Sequence, residues 1–173
     1  MKTYVLIEGQ PHRWLIENLL TENTDLTFIA EDGFSTLLSI AVTVLINHRG
    51  EARVLLLLDA DSLDSEIMEQ KKEVALSMLR RVSLSDDEFK IIFFQPSMEV
   101  VLFQDASILK ELTGREPSDT QLRLGQYQPR QVLRELMGTE SLSGQHIPQR
   151  VFEKLRQLPV FQEVESYLTN AAA

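Results

Sequence analysis

The sequence predicts an α/β protein: a mainly parallel central sheet, helices on both faces, and a helical C-terminal extension. Three observations predict it. Short apolar runs alternate with amphipathic segments over residues 1–104. The third run, "ARVLLLLD", does not alternate and therefore suits the centre of a sheet covered on both sides. From Asp105 onward, short helical stretches are separated by Gly and Pro turns.

The elements follow in order. Tyr4 to Ile7 reads as a short buried strand, and "EGQP" turns into "HRWLIENLL", where Pro11 suits a first helical turn and Trp14, Leu15 and Leu19 form an apolar face. "DLTFIAEDG" is a second strand closing in a Gly turn. "FSTLLSIAVTVLINHRG" is rich in β-branched residues, but its length from Phe34 to Asn47 exceeds a typical strand, so it reads as a largely covered helix with Gly50 as its cap. Ala52 to Leu58 is the third strand. A helix from about Leu63 to Val82 follows, with Ile67, Val74, Met78 and Val82 on its apolar side and "EQKK" facing water. "FKIIFF" is the fourth strand, ended by Pro96. The extension contains "ASILKELTG", a turn-rich "REPSDTQ", the helix "PRQVLRELMG", the loop "TESLSGQHIP" and a last helical stretch with a frayed "TNAAA". No long linker intervenes, so the expected division is a core over 1–104 and an extension over 105–173 packed on it.

Composition narrows the function classes. The chain has 173 residues, 43% hydrophobic and 25% charged, which fits one globular domain with a real core. A formal net charge of -9 and a pI of 4.8 disfavour long-range attraction of nucleic acid to the molecule as a whole. A local basic patch or bound cations must compensate. Lys110, Arg115, Arg123, Arg130, Arg134, Arg150, Lys154 and Arg156 concentrate positive charge in the extension, on a surface that can be distinct from an acidic site. Absence of cysteine excludes disulfides, thiolate zinc sites and thiol nucleophiles, and fits a cytoplasmic protein. His12, His48 and His146 have no zinc spacing. No run is long enough to span a bilayer or serve as a signal peptide, so no membrane association is expected.

Ligands of parallel sheets sit beyond the carboxyl ends of the strands. The residues there are Glu8 after the first strand, Asp59 and Asp61 after the third, and Glu99 after the fourth. If the first and third strands are neighbours, Glu8 faces Asp59 and Asp61 across a crevice. Clustered carboxylates raise one another's pKa unless a cation neutralises them, and Mg2+ takes one to three oxygen ligands from protein while substrate and water complete its shell. Such a site can orient a phosphodiester and activate water. Each residue also has a plainer reading. Asp61 or Asp64 can cap the following helix, with Ser62 competing; Asp59 can end a strand in solvent; Glu8 can accept hydrogen bonds from its turn. His12 can reach the crevice as a base, although a surface position is the commoner fate of such a histidine. Trp14 reads as core.

The strand ending in Glu-Gly in "YVLIEGQPHRWLIENLL", followed by the strand ending in Asp-x-Asp in "VLLLLDADSLD", resembles the Toprim fold shared by topoisomerases, DnaG-type primases, recombination-mediator proteins and the overcoming-lysogenisation-defect nucleases. "QPSMEVVLFQD" is similar to the Pro-x-(Phe/Met)-Glu-x-x-Leu patch of small Toprim-like proteins from bacterial and phage-defence settings. The match covers residues 3–103. It implies a three-layer Toprim-like sandwich in which Glu8, Asp59 and Asp61 hold Mg2+ or Mn2+ and Glu99 helps position a second ion or water. The implied activity is phosphodiester cleavage, on DNA more than RNA. The competing expectation is a catalytically inactive regulator or partner-binding protein.

The chain also departs from the family. No tyrosine-bearing domain of the topoisomerase kind is present, so Tyr127 and Tyr167 are poor nucleophile candidates. No Gly-rich phosphate loop occurs, so any ATPase partner must be a separate chain. Lys71, Lys72 and Lys90 are the available lysines, the first two reading as a solvated helical face and Lys90 lying near the wrong end of its strand. Phosphatase and receiver-domain readings fail because they place paired acids after the first strand, where only Glu8 stands.

Overall fold

Four β-strands alternate with helices in the computed structural model, which describes residues 1–20, 25–140 and 142–169. The strands are β1 (Lys2–Glu8), β2 (Leu26–Glu31), β3 (Ala52–Asp59) and β4 (Phe89–Phe94), and between them run α1 (Gln10–Leu19), α2 (Phe34–Asn47) and α3 (Ser65–Arg80). The sheet order is β2-β1-β3-β4 and each pairing is parallel, so β1 and β3 are neighbours as the crevice requires. Leu6 pairs with Leu56 across β1 and β3, and Asp59 with Phe94 across β3 and β4. β3 is buried along its whole length, the consequence of lying inside the sheet with helices on both faces.

Side-chain alternation along the central strands divides the core in two. Val5, Ile7, Leu55 and Leu57 point to the face covered by α1 and the extension. Leu6, Val54, Leu56 and Leu58 point to the face covered by α2 and α3. A 3₁₀ turn, Met98–Phe103, follows β4 and leads into the extension, which runs through α4 (Ala106–Thr113), α5 (Asp119–Gly125), α6 (Pro129–Met137), α7 (Gln149–Arg156) and α8 (Pro159–Thr169). Its Ile108, Leu109, Val132, Leu133, Val151, Phe152, Leu155, Phe161, Val164 and Leu168 share one apolar cluster with the strands. The expected frayed segment 170–173 lies outside the described residues. Among the described residues no helix is long and apolar enough to cross a membrane.

Two local expectations are corrected. In α3 the buried side is Ala75 and Leu79, whereas Ile67, Val74 and Met78 are exposed. The helix carries two neighbouring apolar stripes, and the sheet takes the one holding the small Ala75. In α2 the cap is His48, with Gly50 two residues farther on in the turn at φ 77.

Candidate metal centre

The carboxyl edge of β1 and β3 opens into a cavity of about 530 Å³ lined by Glu8, His12, Asp59, Asp61, Glu99 and Arg130, with Gly9, Pro11, Asp32, Gly33 and Glu140 around them. All four carboxylates expected from the sequence therefore meet in one place. Within the cavity they form two groups. One ligand atom from each of His12, Asp59 and Glu99 lies within 4.8 Å of the others, and all three residues are buried. Glu8 and Asp61 line the same cavity without joining that group, so the closest set exchanges two members of the expected Glu8, Asp59 and Asp61 for His12 and Glu99.

Local backbone explains each position. Gly9 follows β1 at φ 87, a left-handed conformation that lets the chain reverse at once into α1. The reversal brings His12 back over the strand end, where its Nδ1 lies 2.7 Å from the Glu8 carbonyl. His12 is therefore buried and inside the site, not on the surface, because the Gly-Gln-Pro turn is too short to carry it away. After Asp59, the Ala60 N–H donates to the Phe94 carbonyl at 2.8 Å and the Asp61 N–H to the Pro96 carbonyl at 2.9 Å. Asp61 sits at φ 54, which takes its side chain out of the strand alternation. Glu99 belongs to the 3₁₀ turn after β4 and is held by the Ser97 hydroxyl, which donates to its Oε2 at 2.6 Å.

The capping readings are resolved residue by residue. Asp64 is the α3 N-cap, its Oδ1 accepting from the Glu66 N–H at 2.9 Å, while the Ser62 hydroxyl accepts from the Asp64 N–H. Asp59 is no solvated strand end: its side chain is 4% exposed. Its Oδ1 accepts from the Met98 N–H at 2.9 Å and its backbone N–H donates to Glu8 Oε2 at 3.0 Å. Lys71 turns toward the site, donating to the Ala60 carbonyl at 2.8 Å and lying 3.7 Å from Asp61, in place of the expected solvated face. Lys72 pairs with Glu69 on the surface, and Lys90 pairs with Glu163. Trp14 packs against Phe152 in the core, and Tyr167 is tied to β3 by its hydroxyl bond to the Val54 carbonyl.

Arg130, from the first turn of α6, corrects the idea that basic extension and acidic site are distinct surfaces. Its Nη2 donates to Asp59 Oδ2 at 2.7 Å and its Nε to Glu99 Oε1 at 3.1 Å. The extension thus supplies a cation to the cavity, although Arg134 one turn later pairs with Glu140 instead.

Electrostatics follow from these contacts. Burial pushes the Asp59 carboxyl up to about 6, the Glu99 charge adding to it and His12, the Met98 N–H and Arg130 opposing. Burial also acts to raise Glu99, but the hydrogen bond and charge of His12, with Ser97 and Arg130, outweigh it and hold that carboxyl at about 2. For His12 burial disfavours the cation, yet the Glu99 carboxylate wins and its pKa is raised. Both ring nitrogens face acceptors, the Glu8 carbonyl and Glu99 Oε1, as an imidazolium requires. Burial raises Glu8, with the Asp59 N–H opposing.

The donor set fits a divalent ion. Opposite ligands of an ion with bonds of about 2.1 Å stand about 4.2 Å apart, so a spread of 4.8 Å needs only a small contraction. His12 is already oriented by the Glu8 carbonyl, the outer-shell arrangement that aims the other ring nitrogen at a metal. Ligation at Nε2 requires that nitrogen to lose its proton. Among known proteins, no family model, no curated protein and no solved structure matches the chain; what stands is a mixed α/β fold with a buried His/Asp/Glu cluster able to coordinate a divalent metal.

Proposed function

We propose that the protein is a Toprim-like, divalent-metal-dependent phosphodiesterase acting in the cytoplasm on nucleic acid, DNA in preference to RNA. One observation carries the reading: His12, Asp59 and Glu99 converge within 4.8 Å at the carboxyl edge of a parallel sheet. Glu8 and Asp61 border the same open cavity. His12, Asp59 and Glu99 would hold the ion. The imidazole makes Mn2+ a better match than Mg2+, which prefers all-oxygen shells. A bound ion would polarise the phosphoryl oxygens and favour attack by water. Glu8, which lines the cavity and whose pKa is raised, would accept a proton from that water, and Asp61 with Lys71 would orient it.

The test is cleavage of single-stranded, duplex and nicked DNA and of RNA with Mn2+ or Mg2+. Wild type should cleave at least one of these, and the double variant Asp59→Asn with Glu99→Gln should lose the activity at least a hundredfold. Cleavage that survives both substitutions would place the chemistry elsewhere. A second reading, a catalytically silent regulator working with a protein partner such as a separate ATPase, is favoured by Arg130, which already neutralises Asp59 and Glu99. Copurification with a defined partner and no turnover under any divalent ion would select it.

A further inference from the structure

The acidic cavity is balanced from within. Glu8, Asp59, Asp61 and Glu99 are met by His12, Arg130 and Lys71, each within ion-pair or hydrogen-bond reach of the group or its backbone. Arg130 differs from the other two cations in how it is held. His12 is buried and fixed by the Glu8 carbonyl, and Lys71 leans on the Ala60 carbonyl. Arg130 comes from the extension, its side chain is 45% exposed, and it spans two carboxylates that belong to the metal-binding group.

The oxygens concerned matter. Asp59 Oδ1 is occupied by the Met98 N–H and Glu99 Oε2 by the Ser97 hydroxyl. Those two bonds orient the carboxylates; the other oxygens are Oδ2 of Asp59 and Oε1 of Glu99, the latter also 2.9 Å from His12 Nε2. Arg130 binds those two oxygens. An ion coordinated by Asp59 and Glu99 from the cavity side must use the same two.

Resting on the metal-site reading above, we propose that Arg130 is a tethered cation standing in the ion's place, so that a divalent ion and the guanidinium bind Asp59 and Glu99 in mutual exclusion. Entry of the ion swings Arg130 out toward solvent. Its position in the first turn of α6 makes this a side-chain motion about a fixed helix, so ion occupancy sets the exposure of Arg130. Loss of two charge-assisted hydrogen bonds is part of the cost of ion binding to the wild-type protein.

The experiment is calorimetric titration of the full chain with Mn2+ at one pH and ionic strength. Arg130→Gln should bind Mn2+ at least tenfold more tightly than wild type. Arg130→Lys, which keeps a charge but spans the two oxygens poorly, should fall between them and also guards against a Gln variant that folds badly. Arg134→Gln, on the same helix but paired with Glu140, should match wild type. A folded protein with Arg130 replaced should also show a larger rise in melting temperature on Mn2+ addition than wild type. Equal or weaker Mn2+ binding by both Arg130 variants, with wild type binding normally, would overturn the exclusion while leaving the metal site intact. If neither wild type nor any variant binds Mn2+, the metal site falls and the exclusion with it.

Discussion

Burial raises the Asp59 carboxyl from 3.8 to about 6, so ionising it in the folded protein is harder than in the unfolded chain. The sign follows: stability is lost as pH climbs from about 4 to about 6, and at neutral pH the full penalty is present, roughly 3 kcal/mol on the scale of 1.36 kcal/mol per tenfold. Glu99 works the other way, since its lowered pKa of about 2 adds stability above its ordinary value of 4.5, lost as pH falls toward 2. His12, raised from 6.5, contributes fully below that pH and less as pH rises through its folded value. A carboxylate kept at a stability cost is what a binding site demands and a scaffold does not. Asp59→Asn should therefore stabilise the protein at pH 7 by on the order of 2 kcal/mol, the opposing attraction of Arg130 being already contained in the raised value. It should also flatten the pH dependence of stability between about 4 and 6. Urea unfolding across that range checks both, and a less stable variant at pH 7 would show that the charge is a structural support.

At the scale of elements, α3 shows where sequence pattern stops deciding. Apolar periodicity locates the helix within two residues at each end, but it carries two stripes, Ile67, Val74 and Met78 on one and Ala75 and Leu79 on the other. Only the sheet surface selects between them. The outcome is measurable: Leu79→Ala, fully buried, should cost about 2–5 kcal/mol, whereas Met78→Ala, 38% exposed, should cost under about 1 kcal/mol. Similar losses for both would mean that the Met78 stripe is covered by a partner or a second copy. The same contrast explains what was legible at the site. Glu8 and Asp59 are legible because they end strands, and Asp61 and Glu99 because they follow strand ends within a few residues; strand ends follow from local apolar runs. His12 is four residues beyond Glu8, and the short Gly-Pro turn between them was the available signal for its return to the strand. Arg130 had no such signal, as it is 71 residues from Asp59 in sequence and only the packing of α6 brings it there. The helix pattern makes Lys71 a solvated residue because it does not reveal a neighbouring turn with a carbonyl to satisfy.

At the scale of the whole molecule, the division at residue 104 is a boundary in composition, and the apolar core runs across it. Ile92 and Phe94 of β4 and Met98, Val101, Leu102 and Phe103 of the following turn share a cluster with Leu109, Leu133, Leu155 and Phe161 of the extension. Arg53 of β3 fastens the other end: it donates to the Asp87 and Tyr167 carbonyls, and its guanidinium lies 3.9 Å from the centre of the Tyr167 ring. α8 is thereby held to the amino end of the sheet while α6 reaches the carboxyl end with Arg130. Removing the extension would uncover those six side chains, at about 1.5–3 kcal/mol for each one fully exposed. The loss is on the order of 10 kcal/mol, comparable with the entire stability of an ordinary domain. A chain of residues 1–104 alone should therefore show no cooperative thermal transition and should bind a hydrophobic dye, while the full chain melts in one step by circular dichroism. A cooperative transition in the 1–104 fragment within a few degrees of the full chain's would make the core and the extension separate folding units. Arg130 would then be brought to Asp59 by docking of two independently stable parts, and the coupling between ion site and extension would act at that docking step.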